Sequence, residues 1–114
     1  MIRSLGVISI LVLAACGGGR SGPGEPSVAR FAATTGPIAS ACMGSGRKGV
    51  NRATCGCVQM AADQTLTGAD QRRGASFFGD PERAHAVRLS DTPQDDAFWE
   101  RWTEFGRAAE QLCR

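Results

Sequence analysis

The chain of 114 residues has no tyrosine, one histidine (His85) and one lysine (Lys48), and its aromatic side chains are five phenylalanines and two tryptophans. With a single imidazole a two-histidine metal site cannot be assembled, and no Ser-His-Asp set is expected around His85. An excess of charge of one sign is also lacking. The formal net charge is only +2, so the chain has no concentrated positive field with which to displace counterions from nucleic acid. No stretch shows the alternation of a half-buried strand, which points away from β-containing classes. Long apolar runs are confined to one place, Leu5 to Ala15, interrupted only by Gly6 and Ser9. As a helix this run reaches roughly 17 Å, whereas a bilayer core needs about 30 Å. It is too short to span. It comes after Arg3 and ends in small residues, the order of an export signal, which is therefore expected over residues 1–15.

The end of the run is more specific than its length. Leu13-Ala14-Ala15-Cys16-Gly17 resembles the lipobox of bacterial lipoproteins. The resemblance implies cleavage before Cys16, diacylglycerol on its sulfur and an acylated new amine, and several acyl chains anchor a protein effectively for good. In the best-known lipoprotein systems an Asp after the cysteine retains the protein in the inner membrane. Gly17 stands there instead and favours the outer membrane, facing the periplasm. The lipid on Cys16 is the one non-protein group expected. No cofactor, metal or nucleotide is anticipated.

Beyond Cys16 the composition turns to Gly, Pro and Ser without sustained periodicity, so residues 16–36 are expected to form a lipidated, flexible tether. Val28 to Ala33 is its one moderately apolar patch, suited to dock on the domain or to form a short helical turn. Residues 37–114 are expected to fold as one small domain. At that size a hydrophobic core seldom supplies more than a few kcal/mol, and covalent staples are usual.

The helices of this domain are marked by caps and periods. The first starts near Pro37, holds Cys42 and ends at Gly44 to Gly46. The second runs from about Cys55 to Leu66, with Val58, Ala61, Ala62, Thr65 and Leu66 on one face. Thr67 with Asp70 three residues on opens a third, reaching Gly79, and Asp80-Pro81-Glu82 opens a short fourth. The last is capped by Asp91 or Thr92, begins at Pro93 and buries a seam of Phe98, Trp102, Phe105, Ala109 and Leu112, with Trp99 at its border. The expected class is all-α: four to five short helices cross-linked by two disulfides.

Four cysteines lie beyond the lipobox: Cys42, Cys55, Cys57 and Cys113. An even number in an exported chain implies two bridges, and three pairings are possible. Two residues apart on a helix, Cys55 and Cys57 point about 160–200° away from each other, so one partner cannot serve both. Cys55 lies nearer the apolar face, which favours Cys55–Cys113 with Cys42–Cys57. Exchanging the partners of Cys55 and Cys57 is nearly as good.

Other residue groups invite chemistry more weakly. Cys55-Gly56-Cys57 at a helix start has the spacing of a thiol-exchange pair, although exported domains with even cysteine counts mostly use them as structural bridges. Four thiols with His85 lack the paired two-residue knuckles of a zinc site. Gly44-Ser45-Gly46-Arg47-Lys48-Gly49 has glycines and a lysine but no Gly-Lys-Ser/Thr ending and no preceding strand, so it reads as a basic loop and not as a nucleotide site. Arg72, Arg73, Asp95 and Asp96 read as solvated faces and dipole partners, and Glu100 and Glu104 as surface partners of Arg101 and Arg107.

From Cys42 to Cys113, the segments Cys55-Gly-Cys57, Asp70-Gln71-Arg72-Arg73, Phe77-Phe78-Gly79-Asp80-Pro81, Arg88-Leu89-Ser90-Asp91 and Phe98-Trp99-Glu100-Arg101 resemble a group of small alphaproteobacterial envelope lipoproteins. Some members of that group carry the label arginine transporter. The resemblance implies an envelope location and, at most, an accessory part in amino-acid uptake, because a mature chain with no span conducts nothing. The expected function is a non-catalytic binding or scaffolding module with an envelope protein as partner. The alternatives are thiol-disulfide redox work at Cys55 and Cys57 and the uptake accessory role.

Overall fold

The computed structural model describes residues 25–114. Residues 1–15, for which an export signal is expected, Cys16 and the first part of the expected tether lie outside the described residues. The described chain forms six helices: α1 Glu25–Ala33, α2 Pro37–Met43, α3 Arg52–Thr65, α4 Gly68–Gly79, α5 Pro81–Leu89 and α6 Pro93–Leu112. The described residues contain no strand, and the class is all-α.

Local signals explain most helix starts. The Asn51 side chain accepts the Thr54 N–H at 2.8 Å, Thr67 accepts from Asp70 at 3.1 Å and Thr92 from Asp95 at 3.2 Å, so three helices have side-chain N-caps. Pro37, Pro81 and Pro93 occupy first-turn positions where no N–H is needed. Asp80 departs from its expected capping role: it makes no side-chain cap bond and instead pairs with Arg83 at 3.3 Å. Helix α3 starts three residues before Cys55, because Asn51 and not Cys55 marks its cap.

One helix falls within the stretch 16–36 assigned to the tether. Helix α1 packs along α3, which is the docking that the apolar patch Val28–Ala33 allows. The contact has a specific cause. A Cβ on Gly56 would overlap the Phe31 carbonyl, so the backbone of α1 rests directly on the α3 glycine between the two cysteines.

The core lies where α3 meets α2 and α6. Ile38, Ala61, Ala62, Leu66 and Phe105 form its centre, with Val58, Ala75, Phe78 and Trp102 packed around them. Along α6, Phe98 and Phe105 are buried and Trp102 stands between them, its ring stacked with Phe98 at 5.9 Å and edge-on to Phe77 at 5.2 Å. Gly74 makes room for this tryptophan, since a Cβ there would overlap its ring. Trp99 is half-buried at the seam's border. Leu112, expected to close the seam, is exposed instead.

The bridges are Cys42–Cys55 and Cys57–Cys113, with Cα atoms 5.5 Å and 5.7 Å apart. This corrects the favoured pairing of Cys42 with Cys57 and Cys55 with Cys113. The two α3 cysteines do leave opposite sides of the helix, but the sides are the reverse of those assigned. Helix α2 and the loop after it fold back on the Cys55 side, where Cys42, Ala39 and Cys55 share a small apolar cluster with Val50 and Phe78. Cys57 faces the end of α6, where Cys113 lies.

Candidate functional site

The most buried polar side chain belongs to α3. Gln59 is 1% exposed, and its Oε1 accepts the backbone N–H groups of Ile38 and Ala39, both at 2.9 Å. These are two of the unpaired donors with which any helix begins. A residue twenty-one positions later thus caps α2, whose own N-cap residue, Gly36, has no side chain to do so. Gly36 adopts a φ of 155°, and a Cβ there would meet the Gln59 amide at 2.5 Å. On its other side Gln59 Nε2 donates to Asp63 Oδ1 at 2.8 Å and to Gln71 Oε1 at 2.7 Å, while Gln71 Nε2 donates to the same Asp63 oxygen at 3.1 Å. Helices α2, α3 and α4 meet in this network. Among the described residues no buried side-chain nitrogen or oxygen lacks a partner.

Replacement of Gln59 by Met keeps the volume and strands two buried N–H groups. The expected loss is about 1–3 kcal/mol of stability, measured by urea unfolding, with faster amide exchange at Ile38 and Ala39. Unchanged unfolding and exchange would show that the network does not hold α2.

A second polar contact joins α4 to α6. Arg101 donates Nε to Asp70 Oδ2 at 2.7 Å and Nη2 to Oδ1 at 3.0 Å, a bidentate fork on a nearly buried carboxylate. Its spacing predicts pairing with Glu100 and Glu104 on its own helix; the side chain reaches across instead. The Arg101 hydrogen bonds hold the Asp70 carboxyl below the usual aspartate range, outweighing the upward push of burial, and Thr67 adds to the lowering. Asp95 is lowered too, by hydrogen bonds from Arg73 and Ser90. Arg73 pairs with Asp95 and lies 4.5 Å from the centre of the Phe98 ring, so it serves as an inter-helix contact as well as a solvated charge.

These shifts fix the sign of a pH dependence. A carboxyl lowered in the folded state contributes stability that is present above the ordinary aspartate value near 4 and is lost as pH falls through the folded value. Thermal stability is therefore expected to fall as pH drops below about 4, and Asp70→Asn to flatten that slope. Parallel slopes for the two proteins would refute the assignment to Asp70.

The thiol pair looks different in three dimensions from its spacing. Cys55 and Cys57 are buried, and each is bonded to a distant cysteine, so no bridge joins them to each other. Thiol exchange within the pair would need that bridge. The glycine between them is explained by the seat it provides for α1.

His85 stands exposed on α5, and among the described residues no three His, Cys, Asp or Glu side chains converge as a metal site would require. The basic glycine loop runs between two helices, α2 and α3. Its Gly46 and Gly49 have φ of 69° and 79°. Arg47 leans from it to 5.8 Å from the centre of the Phe78 ring.

Open cavities mark the surface of the described residues, and three of them are well formed. One of about 180 Å³ is walled by Phe77, Phe78, Pro81 and Trp102 with Arg47 at its edge. One of about 450 Å³ lies between α1 and α2 beside Met43 and Arg52. The third, of about 170 Å³, lies where α1 meets the end of α6, between Val28, Phe31 and Leu112. All three are surfaces on which another molecule can rest, and sequence reasoning finds none of them, because each combines residues from elements far apart in the chain. Gln59 escapes it for a related reason: a glutamine on an otherwise apolar helix face carries no signal until its partners are known.

No protein-family model matches this chain, and comparison with curated proteins and with solved structures finds no match.

Proposed function

We propose that the chain is a lipid-anchored module of the bacterial envelope, held by Cys16 in the outer membrane facing the periplasm, which binds a protein partner there and performs no chemistry of its own. The observation that carries this reading is the state of the cysteines. All four beyond the lipobox are joined in bridges, as suits an oxidising compartment, and Cys16 is the one left for acylation. The described side chains best suited to chemistry have structural partners: the thiols each other, Gln59 and Gln71 a shared network, Asp70 an arginine. Open apolar surface remains for binding. The resemblance to small envelope lipoproteins agrees with such a role.

The test is to express the full chain in a bacterial host fed an alkynyl fatty acid, and to crosslink intact envelopes. The expected result is a labelled, membrane-bound protein that recovers a stoichiometric partner, with Cys16→Ala unlabelled. An unlabelled, soluble chain with free sulfhydryls would overturn the location, and recovery of lipid alone would overturn the binding role.

A further inference from the structure

The groove between α1 and the end of α6 is flanked by two exposed large apolar side chains, which neither of the other two cavities described above has. Val28 is 53% exposed and Leu112 36% exposed, and they flank one groove together with Phe31 and the Cys57–Cys113 bridge. Met43 is exposed beside a different cavity, and Leu89 is exposed on α5 with no cavity. Arg114 lines the same groove, so a cation stands beside the apolar pair. This combination of apolar side chains rimmed by arginine suits the boundary between phospholipid headgroups and acyl chains.

The length of chain ahead of α1 limits how far the domain can stand from an anchor at Cys16. Because α1 belongs to the domain, only residues 17–24 separate Cys16 from the first helix. Eight residues reach no further than about 30 Å, whatever their conformation. An anchor at Cys16 therefore keeps α1 within a few tens of ångströms of the headgroups, at high effective concentration. On its own so small a patch would hold a protein only briefly; next to an anchor it has to orient and not to hold.

We propose that Val28 and Leu112 seat the domain on the phospholipid surface that carries the anchor, a step that rests on lipidation at Cys16. The seat fixes which faces of the domain are turned to the periplasm. A protein partner in the groove is the competing occupant.

Purified lipidated protein in vesicles of phosphatidylethanolamine and phosphatidylglycerol, with acyl chains brominated near the ester end, provides the test. In Val28→Trp, one of three tryptophans touches the bilayer, so the emission drops by roughly a third beyond that of the wild type, whose two tryptophans set the baseline. Leu112→Trp gives the same result from the second helix and guards against a fault in the first variant. Val28→Trp protein without the lipid is unquenched. If the variants float with the vesicles but are quenched no more than wild type, the anchor stands and the seat is overturned. If the protein does not float, anchor and seat fall together.

Discussion

Alanine at both Cys57 and Cys113 is expected to remove about 4 kcal/mol of stability, and alanine at both Cys42 and Cys55 about 3 kcal/mol. The difference comes from the lengths closed, 56 residues in one case and 13 in the other, since a longer loop has more freedom to lose in the unfolded chain. For a small domain, whose total stability is typically about 5–15 kcal/mol, the larger loss is a substantial fraction. The Cys57–Cys113 bridge also fixes the end of α6 to the start of α3, so the variant is expected to show fast amide exchange in the last turns of α6. Urea unfolding of the two double variants measures both losses. Equal losses, or a larger one for the short loop, would mean that native-state packing around the sulfurs outweighs chain entropy.

Gly56→Ala is expected to destabilise by about 1–3 kcal/mol, the usual effect of forcing a methyl into filled space. The direction makes the test sharp. Inside a helix, glycine to alanine ordinarily stabilises by about 1 kcal/mol, so propensity alone predicts the opposite sign. Here the added methyl meets the Phe31 carbonyl, a backbone atom that moves only if α1 moves. The variant should therefore shed α1, and trypsin should cut at Arg30, which is exposed on that helix, faster than in the wild type. A higher melting temperature with unchanged cleavage would show that α1 does not rest on Gly56.

Much of the architecture can be read from local signals. Proline at first-turn positions, Thr67 and Thr92 as caps and the spacing of Phe98, Trp102 and Phe105 act within one helix, and each structural counterpart lies where the residues place it. Expectations that need two elements at once do less well. The disulfide pairing turns on which side of α3 receives α2, and no residue of α3 states that. Arg101 has one acid next to it and another about a turn on along its own helix, yet its partner is thirty-one residues distant, because the nearly buried Asp70 gains more from a guanidinium than exposed Glu100 or Glu104 does. Helix α1 is hidden by its surroundings: a short apolar patch in a glycine-rich stretch has too little periodicity to declare itself, and the packing against α3 supplies the rest. Leu112 fits the seam's spacing, but the seam runs out of neighbours at the end of the helix.

The connectivity of the bridges also bears on how the protein is made. The four sulfurs are joined first to second and third to fourth along the polypeptide. If the chain is exported amino end first, as proposed above, Cys42 and Cys55 reach an oxidase before Cys113 has emerged. Joining thiols in order of arrival thus yields the native pattern without a shuffling isomerase, provided that Cys57 waits for its late partner.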